Sequence, residues 1–207
     1  QPVALTIELI GTNTITGNYG IYVDAQQGGT VGTNASLLIQ NSSDYGILEV
    51  SGSSHGIYVK SGTGNASLTI NDASVVASCR SSYGGGYAGV CVHSGSDATS
   101  SPKLSLAVDG GSLTTSASKG NDGIQFYVGA NGVTSETTSL SVTNNAIVDA
   151  RNGGIRASGV SVNPNVNIGS TDSTSGIVFD GTEGTVYGDV ELQKDLEIKS
   201  GETLTIP

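Results

Sequence analysis

The sequence predicts an all-β fold, a solenoid of stacked parallel coils that takes up residues 1–207 as one domain. Three observations carry this expectation. The composition, with 31 glycines in 207 residues, no Met or Trp and 13% charged residues, departs from that of an average globular chain and suits many short strands joined by turns. Apolar and polar residues alternate in triplets such as LTI, LSL and LSV, the period of a strand with one buried face. A short phrase also recurs at uneven intervals: GIYV at Gly20 and Gly56, GVCV at Gly89, GIQF at Gly123, GIRA at Gly154 and GIVF at Gly176. A fixed phrase with variable spacing marks a repeated strand flanked by loops of changing length.

Taken in order, ALTIELIGTNTITGNY reads as the end of an earlier coil, and each recurring phrase then opens a coil. A second strand follows at ASLLIQN from Ala35, ASLTIND from Ala66, KLSLAVDG from Lys103, SLSVTNN from Ser139, NVNIGS from Asn165 and DVELQKD from Asp189. A third appears at SVVAS from Ser74, SLTTSAS from Ser112 and AIVDA from Ala146. Regular two-residue hairpin turns are missing between these strands, so each is expected to pair with its counterpart one coil away.

Stacking predicts inward columns. The first strand contributes Ile21, Ile57, Val90, Ile124, Ile155 and Ile177, with Val23, Val59, Val92, Phe126, Ala157 and Phe179 beside them. The second contributes Leu37, Leu68, Leu106, Leu140 and Val166, with Ile39, Ile70, Val108, Val142 and Ile168 alongside. The phrase glycines, and Asn or Asp in NDA, DGG and TNN, are expected at corners. The closing GDVELQKDLEIKSGETLTIP reads as closely spaced strands. The total is about seven coils of three short strands, roughly 33 Å of stack at about 4.8 Å per coil.

A net charge of −10 with only eight scattered basic residues argues against nucleic acid or an anionic membrane as partner, since both require clustered Lys and Arg. No apolar run reaches the length of a bilayer span. The absent initiator Met and the abrupt ending predict a segment of a longer protein.

The phrases TIELIGTNTITG, NASLTI and GDVELQKDLEIKSGETLTIP resemble the right-handed β-helix modules, broadly pectate-lyase-like in architecture, of large surface proteins in Gram-positive anaerobes, especially gut Clostridia. The likeness covers nearly the whole chain. It implies right-handed winding, an extracellular setting on a bacterial cell surface, and an adhesin-like region that binds a host or dietary glycan or a host protein, immunoglobulin being one candidate. In such an oxidising setting Cys79 and Cys91 are expected to form a disulfide, worth roughly 3 kcal/mol in the chain-entropy model, that closes CRSSYGGGYAGVC.

Many β-helices are lyases or glycosidases, which require carboxylates at a set separation across a cleft. The predicted outward positions of the first strand are Tyr22, Tyr58, Cys91, Gln125, Arg156 and Val178, then Asp24, Lys60, His93, Tyr127, Ser158 and Asp180. They present no paired carboxylates. His55 and His93 have the chemistry of general bases, but no GxSxG elbow singles out a nucleophile. Cys79, Cys91 and His93 lack the paired short spacing of a zinc site. The sequence therefore predicts no catalytic residue, no metal and no cofactor.

What the outward face offers is rings interleaved with hydrogen-bonding groups. Tyr22 and Tyr58 are expected to stack one coil apart, with Tyr19 and His55 just before their corner glycines, Lys60, His93, Gln125, Tyr127 and Arg156 further along, and Tyr83 and Tyr87 projecting beside them from the Cys79–Cys91 loop. Such a surface suits a sugar ring or a protein epitope. It also suits a tyrosine ladder that only stabilises the sheet. The expected function is a non-enzymatic binding module. A ligand-free stalk and a carbohydrate-active enzyme are the alternatives.

Overall fold

The computed structural model describes residues 1–25, 34–95, 102–118, 120–129, 138–159, 165–169 and 174–207. The first layer is one long strand, β1 (Val3–Asp24), and the second another, β2 (Ala35–Ser61); both bend through two corners. The third layer divides into β3 (Ala66–Asn71), β4 (Ser74–Cys79) and β5 (Ala88–Ser94), and the fourth into β6 (Leu104–Asp109), β7 (Ser112–Ala117) and β8 (Asp122–Val128). The fifth holds β9 (Thr138–Thr143), β10 (Ala146–Ala150) and β11 (Ile155–Gly159). After it come β12 (Asn167–Ile168), β13 (Gly176–Asp180), β14 (Glu183–Tyr187) and β15 (Thr203–Thr205).

These layers wind as a parallel β-solenoid of about four turns, and among the described residues there is no helix. Three faces result. On the leucine face, Leu5, Leu37, Leu68, Leu106 and Leu140 stand in register through β1, β2, β3, β6 and β9. On the serine face, Leu48, Val75, Leu113 and Val148 align inward while Ser74 and Ser112 align outward. On the third, the tyrosine wall, Ile21, Ile57, Val90, Ile124 and Ile155 align as predicted.

The interior is dry and aliphatic, with Ile57, Leu68, Leu106 and Ile124 all at 0% exposure. Each such side chain contributes about 1.5–3 kcal/mol by leaving water. Between the leucine and serine faces the corner is made by left-handed residues: Asp72 (φ 50), Gly110 and Gly111 (both φ 66), and Asn144 (φ 54) with Asn145 (φ 61). That is the role NDA, DGG and TNN were expected to play.

The C-terminal third departs from the expected stack. About seven coils were predicted where about four turns form. Ile177 and Phe179 were placed above Ile155 and Ala157 on the tyrosine wall, but β13 pairs instead with β10 on the serine face, Ile177 opposite Ile147 and Phe179 opposite Asp149. The interval before Gly176 is the shortest between phrases, and among its described residues β11 is followed only by the two-residue β12, too little chain to complete three faces. Parity changes as well: Val178, above Val148, joins the core, while Phe179 leaves the core cluster but stays fully buried under the closing unit, with the Arg151 guanidinium 4.4 Å from its ring centre.

Ile168, not Val166, sits on Leu140. The segment from Asp189, read as a strand, carries no strand until β15. β13 and β14 form an antiparallel hairpin that β15 joins. Arg151 ties this closing unit to the stack through Asp149 at 2.7 Å and Glu202 at 3.0 Å.

Candidate functional site

Period-two alternation sends two columns of the tyrosine wall outward, and a register shift before Tyr19 adds a third at the corner. The first is Tyr19, His55, Ala88 and Asp122; the second Tyr22, Tyr58, Cys91, Gln125 and Arg156; the third Asp24, Lys60, His93, Tyr127 and Ser158. The expected Tyr22–Tyr58 stack is present at 5.2 Å between ring centres and 11° between planes. It belongs to a larger ladder, in which Tyr19 stacks on Tyr22 at 4.8 Å, His55 on Tyr58 at 4.6 Å and Tyr58 on His93 at 5.6 Å. Rings packed face to face use their faces on one another and present edges and polar tips outward. The Tyr22 hydroxyl donates to Asp24, and that of Tyr58 meets His93 Nδ1.

The ladder is interrupted in the third layer, where the first two columns carry only Ala88 and Cys91. The phrase GIYV has become GVCV there, and the small side chains leave a cup of about 280 Å³ lined by His55, Tyr58, Gly86, Cys91, His93, Gln125 and Tyr127. Tyr127 ends the ladder edge-on to His93, at 4.7 Å and 81°. Burial holds the imidazoles of His55 and His93 neutral, down to about 4, with Lys60 adding to the effect at His93. Burial likewise raises the Tyr58 hydroxyl and the Cys91 thiol above their ordinary values. No lining group carries a formal charge at neutral pH.

Cys79 and Cys91 are free thiols, both buried, which corrects the expected disulfide. Strand parity explains it. Cys79 continues the inward row of Val75 and Ala77 and donates to the Ser54 carbonyl at 2.9 Å, whereas Cys91 lies between inward Val90 and Val92 and turns outward toward Gln125. Cys79 thus lies on the inner side of the serine face, at its end, and Cys91 on the outer side of the tyrosine wall.

The loop between them is nevertheless fixed, by hydrogen bonds to its neighbours. Arg80 N–H donates to the Gly52 carbonyl at 2.8 Å and Asp122 N–H to that of Tyr87 at 3.1 Å. Ser118 Oγ donates to the Ser81 carbonyl at 2.7 Å, and Asn121 Nδ2 to that of Tyr83 at 2.9 Å. Tyr83 was expected beside Tyr58 and His93, but it stands 75% exposed on the far side of the loop. There Asn18, Ser53, Ser54, Arg80, Tyr83 and Tyr87 line a corner groove of about 270 Å³. Tyr87 turns its ring edge-on to His55 at 5.7 Å and so stands between groove and cup.

Of the other expected site residues, Lys60 is half-buried in the column below His93. Arg156 is 57% exposed and reaches Asp122 at 3.8 Å; burial raises the Asp122 carboxyl while Arg156 opposes the rise. Tyr22, Tyr58, His93 and Tyr127 are brought together as expected. Tyr19 and His55 join the strip of rings as the sequence placed them. Sequence reasoning missed Cys91 with Gln125 as a floor; the GVCV irregularity was its signal.

A longer groove of about 650 Å³ follows the corner between leucine and serine faces, lined by Asp72, Ser112, Asn144, Asn145, Lys194 and others. No aromatic ring lines it, and its amides are engaged in turns, Asn144 with Asp109 and Asn145 with the Glu191 N–H. Among the described residues no cluster of three or more His, Cys, Asp or Glu side chains is arranged to hold a metal ion. The chain matches no protein-family model, no curated protein and no solved structure.

Proposed function

We propose that this chain is a non-enzymatic glycan-binding module of an extracellular, cell-surface protein, built on a right-handed parallel β-helix. The observation that carries the reading is Tyr83: a large ring, 75% exposed, on a loop whose carbonyls are bound at Ser81, Tyr83 and Tyr87 by Ser118, Asn121 and Asp122. Holding an exposed aromatic in place lowers the ordering cost of binding. The groove beside it combines that ring with the hydroxyls of Ser53 and Ser54, the Asn18 amide and the Arg80 guanidinium, the mix of apolar face and hydrogen-bonding groups a sugar presents.

A protein partner requires a broader contact, about 800 Å² per side around clustered anchors, whereas most tyrosines of the wall are stacked on each other. The non-enzymatic reading is supported by spacing. Asp24 and Asp122 stand in the first and fourth layers and in different columns, at least roughly 14 Å apart from the three steps of stack alone, beyond the roughly 5–10 Å of a glycosidase pair. Burial also keeps the Cys91 thiol protonated, which leaves it a poor nucleophile.

The test is a glycan array probed with wild type and Tyr83→Ala, both shown to melt alike. Saturable binding weakened about tenfold or more by Tyr83→Ala supports the reading. Equal binding by both proteins moves the site away from the groove. Binding to a secreted host protein such as immunoglobulin, with every glycan silent, overturns the glycan reading, and silence toward both classes favours the stalk.

A further inference from the structure

The cup in the tyrosine wall is separate from the corner groove, and it is built rather than incidental. Its hollow exists because Ala88 and Cys91 replace rings in columns that carry Tyr19 with His55 and Tyr22 with Tyr58 one and two layers below. Its rim is Gly86, held in a left-handed conformation (φ 90) in open space. Its wall includes His55, only 7% exposed.

We propose that this cup binds one neutral, polyhydroxylated ring, a single monosaccharide unit. The inference rests on the glycan reading for its ligand class and adds a second site to it. Size limits the occupant: about 280 Å³ lies at the small end of ligand pockets, roughly 300–1,000 Å³, room for one ring and not for an oligomer. Charge limits it further. The lining groups are two neutral imidazoles, phenol edges, a thiol and the Gln125 amide, so nothing there neutralises a phosphate or carboxylate. The polar groups suit hydroxyls, which donate and accept in turn.

The experiment is a titration of the whole chain with neutral monosaccharides, an acidic uronate and choline, read by tyrosine fluorescence and by saturation-transfer NMR. The chain has no Trp, and four of its eight Tyr, Tyr19, Tyr22, Tyr58 and Tyr127, stand on this wall, so a fluorescence change is assigned to the cup by the variants and by saturation transfer. Cys91→Tyr extends the Tyr22–Tyr58 column and fills the cup; Gln125→Leu removes the floor amide and serves if the first variant does not fold. Saturable binding of a neutral monosaccharide, lost in these variants and retained in Tyr83→Ala, establishes the cup. A response unchanged by both cup variants overturns it, as does preference for the uronate or for choline, or no response to any monosaccharide. Because Tyr83→Ala reports on the corner groove alone, failure of either site leaves the other legible.

Discussion

Tyr58 and His93 meet across adjacent layers of the wall, hydroxyl to Nδ1, with their rings 5.6 Å apart and 25° from parallel. The contact joins the second outward column to the third and draws a half-buried phenol and a half-buried imidazole into one neutral unit. We assign the hydroxyl as donor, which leaves the ring proton on Nε2.

That neutrality makes stability depend on pH. Burial holds His55 and His93 down to about 4 in the folded chain against 6.5 when free, so between those values the unfolded chain binds more protons. Stability is therefore full above about 6.5 and is lost as pH falls toward about 4, by at most about 3 kcal/mol per histidine. Urea unfolding at several pH values across this window measures the slope, and His93→Gln should reduce it. A flat profile would contradict the burial argument.

Asn121 fixes the presenting loop through the carbonyls of Tyr83 and Ser118. Asn121→Ala should release residues 82–87, raising their amide exchange and weakening any glycan response that depends on Tyr83. The cost to global stability is about 1–3 kcal/mol. Unchanged exchange in the loop would show that its other bonds suffice.

Both thiols are buried, Cys79 inside the serine face and Cys91 outside the tyrosine wall, and burial raises the pKa of each, which keeps both protonated. The native protein should therefore resist a thiol-specific chromogen and show both thiols only in denaturant. Reductant should leave the melting temperature unchanged. A drop in melting temperature on reduction would mean that a Cys79–Cys91 bond forms after all.

Gly111 and Gly85 separate two kinds of glycine. Both have positive φ, 66 and 86, but a Cβ on Gly111 would lie 2.3 Å from the Ala73 carbonyl oxygen, while one on Gly85 meets nothing within 4 Å. Gly85→Ala should cost about 1–2 kcal/mol, the backbone penalty alone. Gly111→Ala should cost more than about 3 kcal/mol, because the corner must also shift. Equal melting temperatures for the two variants would remove the steric part of the account.

Much of the fold was legible because it is written locally. Alternation in ASLTIN and GIYV sets which side chains face inward, and repetition sets which residues stack, so the Leu37–Leu68–Leu106–Leu140 column could be read directly. The Tyr22–Tyr58 contact follows from the same parity. The reading failed at Ile177 and Phe179, where a familiar phrase falls after too short an interval, and chain length rather than local pattern selects the face it joins.

The sequence by itself determined the parallel stack, the aliphatic columns, the left-handed corners and the row of outward rings, since each depends on a residue's near neighbours and on repetition. Only the tertiary structure decided that the two cysteines lie on different faces, one turned in and one turned out, that Ser118 and Asn121 hold the glycine-rich loop, that Tyr83 points away from the ladder, and that Ala88 and Cys91 open a cup within it. Those outcomes depend on where separate layers and their loops meet in space, and the distances that govern such meetings are set by the packing of the whole stack.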